Sequence, residues 1–86
     1  VEACHFTMEE LVTVSDNTRL WSAPNVLIGD KILSLNLGQQ IEIISSPQWG
    51  RIRGDIDFSG WWWEVTTQTD DISGWIWQDR IAECGN

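Results

Sequence analysis

Residues 61–81 read WWWEVTTQTDDISGWIWQDRI, and this stretch decides the fold. Aromatic and β-branched residues fill positions 61–67, and such residues are enriched in strands. Positions 69–71 have the composition of a turn, and positions 72–77 return to a β-prone run. Positions 78–80 predict one turn of 3₁₀ helix. The stretch therefore predicts two strands joined by a turn.

Shorter β-prone runs precede this stretch, separated by residues that favour turns. None has the sustained 3.6-residue period of an amphipathic helix. Thr7 with Glu10 three residues later matches a capping box, but this is a weak signal in so short a segment as 7–12. Five or so short strands at this spacing predict a small all-β barrel. The expected strands are 11–14, 18–22, 31–37 and 41–44, with a long hairpin connection at 48–60.

Length, composition and charge limit the function. The 86 residues are expected to form a single domain with its core at 11–82, and 42% hydrophobic content indicates a globular chain. A net charge of −8 argues against nucleic acid and anionic membranes as partners. No apolar run approaches the roughly 18 residues of a membrane span.

The two cysteines, Cys4 and Cys84, lie near the two ends of the chain. A reactive thiol with His5 as its base is one interpretation, but neighbours on an extended strand point to opposite faces. We therefore predict a disulfide that closes the termini, and with it an extracellular or cell-surface location. Since the chain begins at Val1 without a signal segment, we expect a processed secreted protein or a domain of a longer chain. Two Cys and one His are too few ligands for structural zinc, and no metal or other cofactor is predicted.

Three parts of the chain resemble the bacterial Src homology 3 family. They are LWSAPN at 20–25, LNLGQQIEI at 35–43, and the pair WWEV at 62–65 and GWIWQDRI at 74–81. These are similar, in order, to the family's V-R-S-G-P-S stretch, its L-P-K-G-x-x-V-x-V hairpin, and W-Y-K-V followed by G-W-V-H-S-S-Y-L. The likeness covers residues 12–81 and implies a five- to six-stranded Src homology 3-like barrel. The close termini of that barrel suit the predicted disulfide.

The resemblance implies a non-catalytic binding module, and the residues agree. The single His has no plausible nucleophile nearby in sequence, and adjacent carboxylates such as Asp70 and Asp71 are typical of solvated turns. We therefore predict that the protein is not an enzyme. The expected partner is a peptide or a cell-wall glycopeptide. The alternatives are a structural or docking domain of a larger secreted protein and a receptor for extended Pro-rich peptides.

The chain has seven Trp, more than a core of this size hides easily. Along the strand at 61–65, alternation places Trp61, Trp63 and Val65 on one face and Trp62 on the other. The resemblance assigns Val65 to an inward position of the barrel. Trp62 is therefore expected on the outer, ligand-binding side.

The same argument applies to Trp21 and Trp77. The residues before them, Leu20 and Ile76, match inward hydrophobic positions of the family, so both rings should project outward. In this fold the three segments approach one another, and acidic loops at Asp16 and around 55–57 would favour a cationic or zwitterionic ligand. The alternative is that the rings cap the open barrel ends or pack on the long loop.

The predicted ligand-binding residues are Trp21, Trp62, Trp77 and Asp16. The family usually has arginine at the position of Trp21 and histidine or alanine at the position of Trp77. At the position of Arg80 it often has tyrosine.

Residues 55–60, DIDFSG, read like the opening of a calcium loop. An EF-hand needs Glu at position twelve of the loop, which here is Thr66. Glu64 at position ten resembles the shorter loop of some extracellular bacterial domains. Because Glu64 falls within a predicted strand and the flanking helices are missing, an ordinary acidic hairpin loop is the preferred interpretation.

Overall fold

The computed structural model describes residues 2–53 and 58–84, and these form an all-β structure. The predicted fold class is confirmed, as is the 3₁₀ turn at Gln78–Arg80; a second 3₁₀ turn follows at Ala82–Cys84. The strands are β1 Leu11–Thr13, β2 Thr18–Trp21, β3 Lys31–Leu35, β4 Gln40–Ile43, β5 Gln48–Arg53, β6 Phe58–Thr67 and β7 Ser73–Trp77.

The strands form a curled, antiparallel half-barrel in the order β1-β4-β6-β7-β2-β3. The ten-residue strand β6 is central to this sheet, because it pairs with three other strands. One edge of β6 pairs with β5 along its first half and with β4 along its second half, while the other edge pairs with β7. An isolated bridge between Val14 and Ile81 draws the two ends of the chain together.

The core lies on the concave side of this sheet. Leu20, Val65 and Ile76 are fully buried, so the inward positions assigned to them are confirmed. Trp63 lies beside them and is 3 % exposed. Burial of this aliphatic cluster is the main favourable term in the stability of the domain. Its other members are Val12, Val14, Leu35, Ile41, Ile43 and Ile81.

The long hairpin connection predicted at 48–60 is wrong, because all of its described residues belong to β5 and β6. Its glycines suggested a loop. In the structure Gly50 and Gly60 are directly paired across the two strands. Only glycine fits at position 50, because a Cβ there would overlap the carbonyl of Pro24. Both interpretations of residues 55–60, the preferred acidic hairpin loop and a calcium loop, depend on Asp55 and Asp57, which lie outside the described residues.

The segment 7–12 contains no helix, although the capping-box contact is present. The Glu10 carboxylate accepts a hydrogen bond of 2.9 Å from the Thr7 N–H. The next backbone groups pair with Ile43 instead of continuing a helix, with Glu9 N–H donating to its carbonyl and Glu10 C=O accepting from its N–H. Sheet pairing therefore outweighs this local signal, and β1 begins at Leu11.

Cys4 and Cys84 form the predicted disulfide, with their Cα atoms 5.7 Å apart. The bond is compatible with an oxidising, extracellular setting. Buried Gln78 also holds the N-terminal segment in place, because its side-chain Oε1 accepts from the Cys4 N–H at 3.1 Å and its Nε2 donates to the Glu2 carbonyl at 3.3 Å. Within residues 2–53 and 58–84, no helix has the length and apolar character needed to cross a membrane.

Candidate ligand-binding cleft

An open cavity of about 180 Å³ is lined by side chains of β2, β5, β6 and β7. Trp62 forms its floor and is 2 % exposed, whereas Trp21 and Trp77 are partly exposed at its sides. We call this cavity the tryptophan cleft. It is lined by Thr18, Arg19 and Trp21 of β2, Ile52 and Arg53 of β5, Trp62 of β6, Trp77 of β7, and Arg80.

Strand pairing brings the three predicted tryptophans together. Trp62 and Trp77 are direct partners across β6 and β7. Trp21 pairs with Trp75 of β7, and its ring meets Trp62 edge to face with the ring centroids 6.4 Å apart. The sheet therefore places all three rings around one cavity, although they lie far apart in sequence.

The expectation that the Trp62 ring would be exposed is wrong. The face assignment was correct, because Trp62 points away from the core that holds Val65. However, this outer face is covered by Trp21 and by the segment around Pro24, whose carbonyl lies against Gly50. Both faces of β6 are therefore buried at this point, and Trp62 supports the cleft from below.

Gly60 leaves room for the Trp77 ring. A Cβ at Gly60 would lie 2.9 Å from Trp77 Nε1 and 2.6 Å from Ile52 Cδ1, closer than ordinary packing allows. Trp77 also meets Phe58 edge to face, with the ring centroids 5.9 Å apart. These contacts hold the Trp77 ring at the side of the cleft.

The described lining of the cleft carries positive charge. Three of the chain's five basic residues line it, namely Arg19, Arg53 and Arg80. A fourth, Lys31, has its Nζ 5.8 Å from the centroid of the Trp21 ring. Within the described part of the chain, no carboxylate lines the cleft. The expected preference for a cationic or zwitterionic ligand depended partly on Asp55 and Asp57, which lie outside the described residues, and it stays a prediction.

Asp16 does not join the tryptophans. It is exposed, lies outside the lining of the cleft, and its carboxylate accepts a hydrogen bond of 2.8 Å from the Asn17 N–H. This short-range contact is typical of a turn. The arginines were not among the residues predicted from the sequence. One signal was present for Arg19: it precedes Leu20, which points inward, and so it lies on the outer strand face with Trp21.

The Trp62 indole N–H has no hydrogen-bond partner in the described structure, although it is buried. Burying a donor without an acceptor costs about 1–3 kcal/mol. Trp63 differs, since its indole N–H donates to Gln78 Oε1 at 3.4 Å. Trp62 on the outer face of β6 thus has a buried, unpaired donor, whereas the indole N–H of Trp63 on the core face is paired.

A second group of aromatic rings continues from the cleft along β5 and β6. Trp49 and Trp61 meet edge to face with centroids 5.2 Å apart. Trp49 is 52 % exposed and Phe58 is 42 % exposed. A smaller cavity of about 90 Å³ lies between these rings and shares Trp77 with the tryptophan cleft.

Comparison of the chain with protein-family models, curated proteins and solved structures finds no match. The resemblance to the bacterial Src homology 3 family therefore stays a prediction. It rests on the segments at 20–25, 35–43, 62–65 and 74–81.

Proposed function

We propose that the protein is a non-catalytic, extracellular binding module that recognises a peptide or a cell-wall component in the tryptophan cleft. The observation that carries this proposal is the convergence of Trp21, Trp62 and Trp77 on one open cavity. Aromatic residues in well-packed pockets contribute most to binding in protein interfaces. The disulfide between Cys4 and Cys84 supports an extracellular role.

The size of the cleft supports recognition of a short segment of a larger ligand. Its volume of about 180 Å³ is below the roughly 300–1,000 Å³ of pockets that enclose a drug-sized molecule. It has room for one side chain or chain end of a peptide. The ligand would contact the partly exposed faces of Trp21 and Trp77, while buried Trp62 holds both rings in position.

Isothermal titration calorimetry with soluble muropeptides tests this proposal. Trp21→Ala and Trp77→Ala should each weaken binding by more than about 1 kcal/mol, as expected for hot-spot aromatics. Trp49→Ala is the matched control, because Trp49 is more exposed and lies outside the lining of the cleft. Absence of binding to the wild-type protein, or an equal loss in the Trp49 variant, would contradict the proposal.

A structural or docking domain is the second candidate. The observation that favours it is the exposure of Trp49 and Phe58 on the β5–β6 hairpin, because exposed apolar patches often mark protein interfaces. This alternative predicts association that depends on Trp49 and is unaffected by Trp21→Ala. Analytical ultracentrifugation of the two variants, alone and with a flanking domain, distinguishes it from ligand binding in the cleft.

A further inference from the structure

The distribution of positive charge indicates what the cleft binds. The chain has 13 acidic and only five basic residues. Three of the five line one small cavity, and they come from separate segments: Arg19 from β2, Arg53 from β5 and Arg80 from the 3₁₀ turn. The described lining of this aromatic cavity is therefore basic, although the protein as a whole is strongly acidic.

The arginine contacts leave donors for a ligand. The Arg80 guanidinium lies 5.3 Å from the Trp77 ring centroid, and that of Arg53 lies 5.8 Å from the Phe58 centroid. Stacking on an aromatic ring orients a guanidinium without using its N–H groups. Among residues 2–53 and 58–84, no carboxylate forms an ion pair with Arg19, Arg53 or Arg80.

We infer that the tryptophan cleft binds the free carboxylate of a peptide, an inference that rests on the proposed function. Guanidinium groups match a carboxylate in charge and in hydrogen-bond geometry. The apolar part of the same chain end packs against Trp21 and Trp77.

The overall charge favours a single carboxylate over a polyanion. Grooves that combine arginine with aromatic rings also bind single-stranded nucleic acids. However, a net charge of −8 repels an extended polyanion. A cavity of about 180 Å³ has room for one small anionic group.

Two matched peptides test the inference: diacetyl-Lys-D-Ala-D-Ala with a free C-terminal carboxylate, and the same peptide with a C-terminal amide. Calorimetry at low salt should give affinity for the acid at least about tenfold higher than for the amide. Arg53→Gln and Arg80→Gln should each reduce affinity for the acid about tenfold while leaving the melting transition in place. Arg51→Gln is the control, since it changes the net charge equally and lies outside the lining of the cleft.

The results separate this inference from the proposed function. Equal binding of acid and amide, weakened in both cases by Trp21→Ala, would overturn the carboxylate inference and leave the binding module intact. If neither peptide nor the muropeptides bind, the proposed function is itself overturned. Tighter binding of an eight-residue oligothymidylate than of the acid peptide would assign the arginines to nucleic acid and overturn the inference.

Discussion

Trp62 and Trp63 are neighbours on β6 and are almost equally buried, at 2 % and 3 % exposure, yet they lie in different environments. Trp63 packs with the aliphatic core, where Phe6 meets it edge to face with the centroids 5.0 Å apart and Gln78 accepts its indole N–H. Trp62 lies beneath an open, arginine-lined cleft, and its N–H has no acceptor in the described structure.

The comparison shows that burial alone does not separate a core residue from a site residue. A closed core pairs its polar atoms, because a buried donor without an acceptor is costly. The Trp63 side meets this requirement and the Trp62 side does not. The unpaired donor, the three converging tryptophans and the arginines all belong to the Trp62 side, so that side is the one assigned to ligand binding.

The largest expected effect is on the core side. Trp63→Ala should reduce the free energy of unfolding by about 3–5 kcal/mol, because it leaves a large cavity among rigid neighbours. Urea denaturation followed by far-ultraviolet circular dichroism measures this loss. Trp49→Ala, which removes an exposed ring, should cost much less, and equal losses in the two variants would remove the distinction between core and surface rings.

The next effect concerns the polar contacts of the core side. Gln78→Leu removes the acceptor for both the Trp63 indole N–H and the Cys4 N–H. Leaving buried donors unpaired should lower the free energy of unfolding by about 1–3 kcal/mol. A thermal melt of the oxidised protein, with affinity for the carboxylate peptide as a second readout, measures it. Unchanged stability would show that Gln78 does not hold Trp63 in place.

A smaller difference compares the two indole N–H groups directly. Trp62→Phe and Trp63→Phe remove the same atoms, but only the second breaks a hydrogen bond to Gln78. Trp63→Phe should therefore be more destabilising by about 1 kcal/mol, the net value of a typical hydrogen bond. Urea midpoints of the two variants give this difference. Equal losses, or a larger loss for Trp62→Phe, would mean that the hydrogen bond from Trp63 to Gln78 gives no stabilisation relative to the unpaired Trp62 N–H.

The smallest effect is a dependence of stability on pH at the C-terminal end. Burial tends to raise the pKa of the Glu83 carboxyl, but hydrogen bonds from the Thr13 N–H, from its own N–H and from the Thr13 hydroxyl together lower it below its ordinary value of 4.5. Because the pKa is lower in the folded state, Glu83 stabilises the fold above about pH 4.5. That contribution is lost as the pH falls through the lowered folded-state pKa.

Glu83→Gln isolates this effect. The variant should be less stable than the wild-type protein at neutral pH, and the two stabilities should converge in acid. Melting temperatures measured between pH 7 and about pH 3 test this, since the carboxyl is protonated well below its ordinary pKa. A constant difference across that range would show that the Glu83 charge has no part in the contact with Thr13.

The inward positions of Leu20, Val65 and Ile76 were predicted from the resemblance to the bacterial Src homology 3 family. Alternation along single strands then placed their neighbours on the opposite face. It also predicted the correct face for Trp62. The burial of that ring was not predictable, since it depends on the Pro24 carbonyl lying against Gly50, a contact between distant segments. The arginines of the cleft were not predictable for the same reason, because they come from distant segments that only the folded sheet brings together.

The most direct test of the account follows the assigned indole N–H resonances of Trp62 and Trp63 by ¹H–¹⁵N NMR during titration with diacetyl-Lys-D-Ala-D-Ala. We expect the Trp62 resonance to shift saturably, because the Trp62 side chain lines the binding cleft. The Trp63 resonance should stay in place, since Gln78 holds it on the opposite face. A Trp62 resonance that does not move, or equal shifts of both resonances, would contradict the assignment of the cleft as the binding site.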